Sequence, residues 1–390
     1  MSQPPFVVGK PVTGEYFVDR EKELEKLLSL ARGLEKGSSS NSVLIGLRRT
    51  GKTSILENLA IRLQSNPHMV TMIINCYGLA TKSRFAKLLV DIAVACYVQK
   101  TGDQAYLKRL TRVTSEKVKA VLDRVSEIRF SEFTLKFRDS RTGEDSLIED
   151  ALRYIESLAI EKNVFFVVMI DEFQDIIRWG DDVLKRMRSI IQSQKKVQYI
   201  LAGSATTIMR NLAYDRRSPF YRQLVEIPVR RLDQQIVREF LKKRFVTVHM
   251  RIADSEIDKI AVYCGGYPDY VQRLGLELYL ALGENGSIAE EHIDKAYEDM
   301  ILSLDGEFEN YFATFSPLER EILLTLASGS MKVSEVAREV RRPIFNIPKT
   351  LTSLMNQGTI ERPMKGQYRL ADPVFGDWLN RRFKPIMVQD

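Results

Sequence analysis

An apolar run, Val43-Leu44-Ile45, leads directly into Gly46-Leu47-Arg48-Arg49-Thr50-Gly51-Lys52-Thr53, which opens onto a helix-like stretch from Ser54 to Ala60. A strand, a glycine-bearing loop and a helix in that order fit few folds. The loop must curl tightly and the strand and helix must pack on each other, as they do in parallel α/β sheets. The glycines let backbone N–H groups point inward, and the helix that begins there adds its positive N-terminal dipole. The loop is therefore built to hold an anion. Lys52 is placed to reach the β- and γ-phosphates of a nucleoside triphosphate, and Thr53 to hold Mg²⁺. The expected nucleotide-binding stretch is Gly46, Leu47, Arg48, Arg49, Thr50, Gly51, Lys52, Thr53 and Ser54.

A second feature supports the first. Val164-Phe165-Phe166-Val167-Val168-Met169-Ile170 reads as a strand buried on both faces, and Asp171-Glu172 stands at its end. Packing gives no reason for two carboxylates there. Asp171 suits a Mg²⁺ contact, and Glu172 suits a general base that polarises an attacking water. Two solvated acids capping the next helix are the bland alternative, which the upstream loop disfavours.

Composition sets the bounds. At 390 residues, two or three domains are expected, and 44% hydrophobic with 28% charged residues is an ordinary globular mixture. No apolar stretch reaches the roughly 18 residues of a membrane span. The start, Met-Ser-Gln-Pro-Pro, lacks a signal core. A cytoplasmic protein with no membrane partner is expected. Cys76, Cys96 and Cys264 lie scattered in apolar contexts, as small buried hydrophobes do in a reducing compartment. The net charge of +7 permits an anionic partner.

Along the chain, residues 1–20 read as irregular and 20–32 as a charged amphipathic helix. Strands are expected at 43–45, 70–76, 164–170 and 197–204, and helices at 83–99, 116–125 and 145–161. An imperfect alternation over 128–138 suggests a small hairpin or edge strand. Alternating strands and helices predict a parallel sheet with helices on both faces, its ligand site at the carboxyl ends of the strands. From Leu232 the pattern is helical, at 234–247, 255–263, 269–282 and 289–304. After Gly306 a final unit begins, with helices from Ser316-Pro317, at 333–340 and at 343–357, the last interrupted by Pro348. A hairpin at 358–370 completes the outline of a winged helix-turn-helix. Ile344, Phe345, Leu351 and Leu354 read as its core.

These elements resemble an archaeal-type ATPase of the STAND class, a branch of P-loop NTPases related to AAA+ proteins. The resemblance covers essentially the whole chain. It is carried by the phosphate loop, Phe17-Val18-Asp19-Arg20-Glu21-Lys22-Glu23-Leu24, Ile170-Asp171-Glu172-Phe173-Gln174, Ala202-Gly203-Ser204, Ser218-Pro219-Phe220-Tyr221-Arg222 and Gly265-Gly266-Tyr267-Pro268. It implies an α/β fold with the ASCE order of parallel strands, an all-helical lid and a C-terminal winged helix, with boundaries at 1–231, 232–305 and 306–390 and an insertion near 101–145. It implies ATP and Mg²⁺ as cofactors and slow, switch-like hydrolysis. Phe17, Val18 and Arg20 would close on the base from one side and Pro268 from the other. Many relatives carry an arginine after the fourth strand. Here that position reads Ser204-Ala205-Thr206-Thr207, which leaves Ser204 or Thr206 to sense the γ-phosphate.

Two basic sets remain. Arg216, Arg217 and Arg222 flank Ser218-Pro219. One of them, Arg222 by resemblance, is expected as an arginine finger in cis or from a neighbouring subunit; a solvated loop is the alternative. Arg273 reads as a helix-surface arginine or a lid sensor. Residues 341–370 hold Arg341, Arg342, Lys349, Arg362, Lys365 and Arg369 against a single acid, Glu361, the pattern of phosphate-backbone contact with duplex DNA. The leading expectation is an ATP-hydrolysing switch whose lid and winged helix control binding to DNA or protein. The rivals are an initiator-like DNA-binding protein with ATP as a structural ligand, and a protein-interaction scaffold without nucleic acid.

Overall fold

The computed structural model describes residues 4–106 and 144–387. The helix expected at 116–125 and the hairpin at 128–138 lie outside the described residues.

Helix α1 (Glu21–Glu35) precedes strand β1 (Asn41–Ile45), and α2 (Lys52–Leu63) follows the phosphate loop. Next come β2 (Met69–Asn75), α3 (Lys82–Thr101), α4 (Glu144–Lys162), β3 (Phe165–Asp171), α5 (Gln174–Ile177), α6 (Asp181–Ile191), β4 (Val197–Gly203), α7 (Thr206–Tyr214) and β5 (Leu224–Pro228). The five strands run parallel in the order β2-β3-β4-β1-β5. Side chains alternate across a strand, so each strand feeds two cores. Val167 and Met169 of β3 join Leu24 and Leu27 of α1 and Ile55, Leu56 and Leu59 of α2. Phe166, Val168 and Ile170 join Phe85, Leu89 and Val90 of α3 and Ile148, Leu152 and Ile155 of α4. The β5 edge strand was not read from sequence; it is short, and only Leu224 and Ile227 are buried.

Helices α8 (Gln234–Val246), α9 (Asp254–Cys264), α10 (Pro268–Leu282) and α11 (Glu290–Ser303) form the lid. Helix α11 ends at Ser303, Leu304 is the turn, and helix α12 (Asp305–Ala313) begins there with Gly306 in its first turn and Phe308 and Phe312 buried. An exposed glycine costs a helix only about 1 kcal/mol, which two buried aromatics outweigh. After α12 come α13 (Pro317–Leu326), β6 (Met331–Lys332), α14 (Val333–Glu339), α15 (Ile347–Asn356), β7 (Ile360–Glu361), β8 (Gln367–Leu370) and α16 (Pro373–Met387). Strands β6, β8 and β7 make an antiparallel sheet beside the helices, the element order of a winged helix. One apolar core runs unbroken from Val237 of α8 to Leu379 of α16.

Two expectations for α15 change. Proline costs a helix least in its first turn, so α15 starts at Ile347 with Pro348 next, after a 3₁₀ turn at Ile344–Asn346. Leu351 and Leu354 are buried as expected, and Ile347 joins them. Ile344 and Phe345 are not core: they are 53% and 77% exposed, because the turn swings them off the buried face. Among the described residues, no helix is long and apolar enough to cross a membrane.

Candidate nucleotide site

Parallel strands bring the phosphate loop, Asp171-Glu172 and Ser204 to one edge of the sheet. Gly46 has to be a glycine: a β-carbon would sit 2.5 Å from the Val229 carbonyl oxygen. Gly51 takes φ +91° as the loop turns into α2, and Arg49 takes φ +64°. Lys52 is buried and donates from Nζ to the loop carbonyls of Gly46 (2.9 Å) and Leu47 (2.8 Å). Burial lowers its pKa, and Glu172 and Asp171 pull the other way.

Thr53 Oγ1 donates to Asp171 Oδ2 at 2.5 Å. Burial raises the Asp171 pKa and Glu172 adds to the rise, against the Thr53 hydrogen bond and Lys52. A hydroxyl and a carboxylate this close, on an anion-binding loop, are the hard oxygen donors Mg²⁺ prefers. The residues fit that ion.

Glu172 stands at φ +53°, a left-handed conformation uncommon for a residue with a β-carbon. The turn aims its carboxylate at Ser204, whose Oγ donates to Glu172 Oε2 at 2.9 Å. Gln174 Nε2 donates to the same oxygen, and the Ser204 N–H donates to Gln174 Oε1 at 3.2 Å. Of the two γ-phosphate sensors considered, Ser204 is joined to this cluster, whereas Thr206 faces a different cavity.

A cleft of about 410 Å³ opens above these groups, lined by Arg48, Arg49, Lys52, Thr53, Glu172 and Pro268 among others. A narrow recess adjoins it between Phe17, Val18 and Arg20 on one side and Pro268 and Val271 on the other. The two sides expected from the resemblance thus face one space. Arg20 is buried at the start of α1 and donates to the carbonyls of Thr50 (3.2 Å) and Arg230 (2.7 Å), so it braces the loop rather than pointing into solvent. A larger cavity of about 880 Å³ lies behind Gly46, Leu47 and Thr50. It contains none of Lys52, Asp171 and Glu172, so the smaller cleft is the one suited to phosphate chemistry.

Several lining residues were missed in the sequence. Residues 4–18 form a strap rather than a loose end. Val12 accepts from Asn58 of α2 (2.9 Å), its N–H donates to Ser54 (3.1 Å), and Gln272 of the lid holds Val7 and Tyr16. Glu307 of α12 also lines the cleft, 2.7 Å from Arg49. Periodicity carries no sign of either, since both depend on contacts between distant segments. Arg273 sits in the cleft wall and donates to Asp269 at 2.8 Å.

The two basic sets lie elsewhere. Arg222 is exposed, and its guanidinium lies 5.2 Å from the Tyr221 ring; it lines neither cleft nor recess. Arg216 is exposed, and Arg217 pairs with Asp215 at 2.9 Å. Of the six basic residues at 341–370, all exposed, Arg342 pairs with Glu321 (3.6 Å) and Arg369 with Glu361 (2.6 Å). Arg341, Lys349, Arg362 and Lys365 make no ion pair among the described residues. The far end of α15 packs on the sheet domain, where Thr207 Oγ1 donates to the Met355 carbonyl at 3.3 Å.

Comparison with known proteins agrees with this fold. No curated protein matches the chain. Among solved structures, a Walker-type ATPase of Pyrococcus abyssi is 22% identical, with a TM-score of 0.68 over 96% of this chain and 99% of that one. The Aeropyrum pernix ORC2 protein in ADPNP–ADP complexes is 14% identical, with a TM-score of 0.58 over 95% of each chain. The Aeropyrum pernix ORC1 protein in complex with DNA is 14% identical, with a TM-score of 0.53 over 96% of this chain and 95% of that one. At these identities the likeness is one of fold. The model of the ATPase domain predominantly from Archaea matches residues 17–274, and the chain belongs to that family.

Proposed function

We propose that the protein is an ATP-binding and slowly ATP-hydrolysing switch, whose nucleotide state repositions the lid and winged helix and so controls contact with duplex DNA. The observation that carries the reading is the convergence of Lys52, Thr53, Asp171, Glu172 and Ser204 at one sheet edge, beneath a cleft roofed by the lid.

Lys52 leaves the Gly46 and Leu47 carbonyls for the β- and γ-phosphates. Thr53 and Asp171 would hold Mg²⁺, which would supply positive charge against the phosphate oxygens. Glu172 accepts a proton from the attacking water, and Ser204 reports the γ-phosphate to it. Val18 and Pro268 enclose the base. Because Pro268 begins α10, contact with the base bears directly on the lid. A ligand shifts such a hinge only by its difference in affinity for the two positions.

The test is equilibrium titration of ATP with Lys52→Ala, followed by Mg²⁺-dependent turnover of the wild type. Binding lost in the variant and turnover present in the wild type are expected. Undiminished ATP affinity in Lys52→Ala would remove the reading. A second reading is an initiator-like DNA-binding protein that keeps ATP as a structural ligand. It is favoured by the likeness to the two Aeropyrum structures and by the exposed cations at 341–365. Tight ATP binding with no turnover would select it.

A further inference from the structure

Two arginines sit inside the phosphate loop, and both are already engaged. Arg49 is 10% exposed; its Nη2 lies 2.7 Å from Glu307 Oε2 and its Nε 3.7 Å from Asp269 Oδ2. Arg48, half exposed, reaches Glu307 Oε1 at 3.6 Å. The Arg49 guanidinium lies 4.8 Å from the Tyr270 ring and 5.3 Å from the Phe308 ring. It also donates to the Tyr270 hydroxyl, which donates in turn to Asp372, just ahead of α16. One loop residue is thereby joined to the lid, to α12 and to the C-terminal unit.

Glu307 differs from the other partners. It lines the cleft that holds Lys52 and Thr53, and its side chain is 40% exposed there. Burial would raise its pKa, but Arg49, Arg48 and Arg273 outweigh that and hold it below the usual carboxylate range. A charged carboxylate thus occupies the arginines at the mouth of a phosphate site.

We propose that Glu307 is a built-in rival of the nucleotide's terminal phosphate: it holds Arg48 and Arg49 when no triphosphate is bound, and a triphosphate must displace it to engage them. This rests on the ATP-binding reading above. Lys52 and the loop N–H groups serve both di- and triphosphates. Only the longer chain carries a further anionic group with which to claim the two arginines. The trio Arg48, Arg49 and Glu307 then sets the preference for triphosphate over diphosphate. Releasing Glu307 also frees α12, the element between the lid and the winged helix. By linkage, whatever Glu307 costs the binding of ATP, ATP costs the closed arrangement.

Glu307→Gln tests this, because the amide keeps the shape and removes the charge at a partly exposed position. Affinities for a non-hydrolysable ATP analogue and for ADP are measured by titration, alongside small-angle scattering without nucleotide. We expect the analogue to bind about fivefold tighter or more, within the usual range of coupling between sites. ADP affinity should change less, and the nucleotide-free variant should move toward the dimensions of the analogue-bound wild type. Unchanged affinities, with only a lower melting temperature, would make Glu307 a structural salt-bridge partner and overturn the proposal. A wild type that binds neither nucleotide would instead bring down the ATP reading itself.

Discussion

Ser204 Oγ, at the tip of β4, donates to Glu172 Oε2 at 2.9 Å, so the two groups assigned to sensing and to base chemistry are one hydrogen-bonded unit. The strained turn at Glu172 and the side chain of Gln174 hold the carboxylate against Ser204. Both donors are on Oε2, which orients the carboxylate and leaves Oε1 to accept from a water. A γ-phosphate oxygen offers the serine hydroxyl another acceptor.

Two substitutions separate the roles. Glu172→Gln should bind ATP normally and lose turnover by about a hundredfold or more, since the amide takes no proton. Ser204→Ala should leave ATP affinity nearly unchanged and lower kcat by about tenfold, the worth of roughly one hydrogen bond in the transition state. Steady-state kcat and KM for both variants give the answer. Wild-type kcat in Ser204→Ala would mean that the Ser204–Glu172 bond is incidental.

Arg222 lines neither cleft nor recess of its own chain, so a finger role is tested first from a neighbouring subunit, with a cis role as the alternative. Its side chain is exposed and its backbone stands at φ +55°. Turnover per subunit should then rise with protein concentration. Arg222→Ala should lower kcat far more than ATP affinity, and mixing it with Lys52→Ala should restore part of the activity. Arg216 and Arg217 serve as controls. Wild-type turnover in all three single variants would leave this a solvated loop.

The edge of the sheet that carries the candidate site was legible because local pattern and chemistry coincide there. The apolar run of β3 ends in Asp171-Glu172, and the glycines of the loop fix its path, so no distant contact was needed to place them. Glu307 was not legible: it follows Gly306, which reads as a break, and its partners Arg48 and Arg49 are more than two hundred residues away. The strap at 4–18 was hidden for the same reason, since its bonds run to Ser54, Asn58 and Gln272. Ile344 and Phe345 misled in the opposite sense. They are apolar and sit just ahead of a helix, but Pro348 delays that helix and leaves them outside.

Those two exposed residues bear on the DNA reading. Lys349 and Lys365 make no ion pair among the described residues, so they are better probes than Arg342 or Arg369, whose charges are partly spent on Glu321 and Glu361. Lys349→Ala with Lys365→Ala should weaken duplex binding and lower the slope of log K against log salt by about two. Phe345→Ser should weaken binding without changing the slope, because an apolar contact releases no counterion. A wild type that binds no duplex at low salt would defeat the DNA reading.

Asp91 gives a stability prediction independent of function. It lies in α3 at 2% exposure, and burial pushes its carboxyl up to about 7, with Lys87 pulling weakly the other way. A folded-state pKa above the unfolded value means that the folded protein holds the proton more tightly. The Asp91 contribution is therefore complete below pH 4 and falls as pH climbs through the window from about 4 to about 7. It is flat above that, with a total loss of up to about 4 kcal/mol at 1.36 kcal/mol per unit. Asp91→Asn cannot ionise, so its stability should change less with pH. The variant should gain on the wild type steadily from about pH 4 to about pH 7 and level off above it, whatever its absolute offset from burying an amide. Urea denaturation at half-unit pH steps measures the difference. Parallel curves for the two proteins would mean that the Asp91 carboxylate finds a partner or solvent in the folded state.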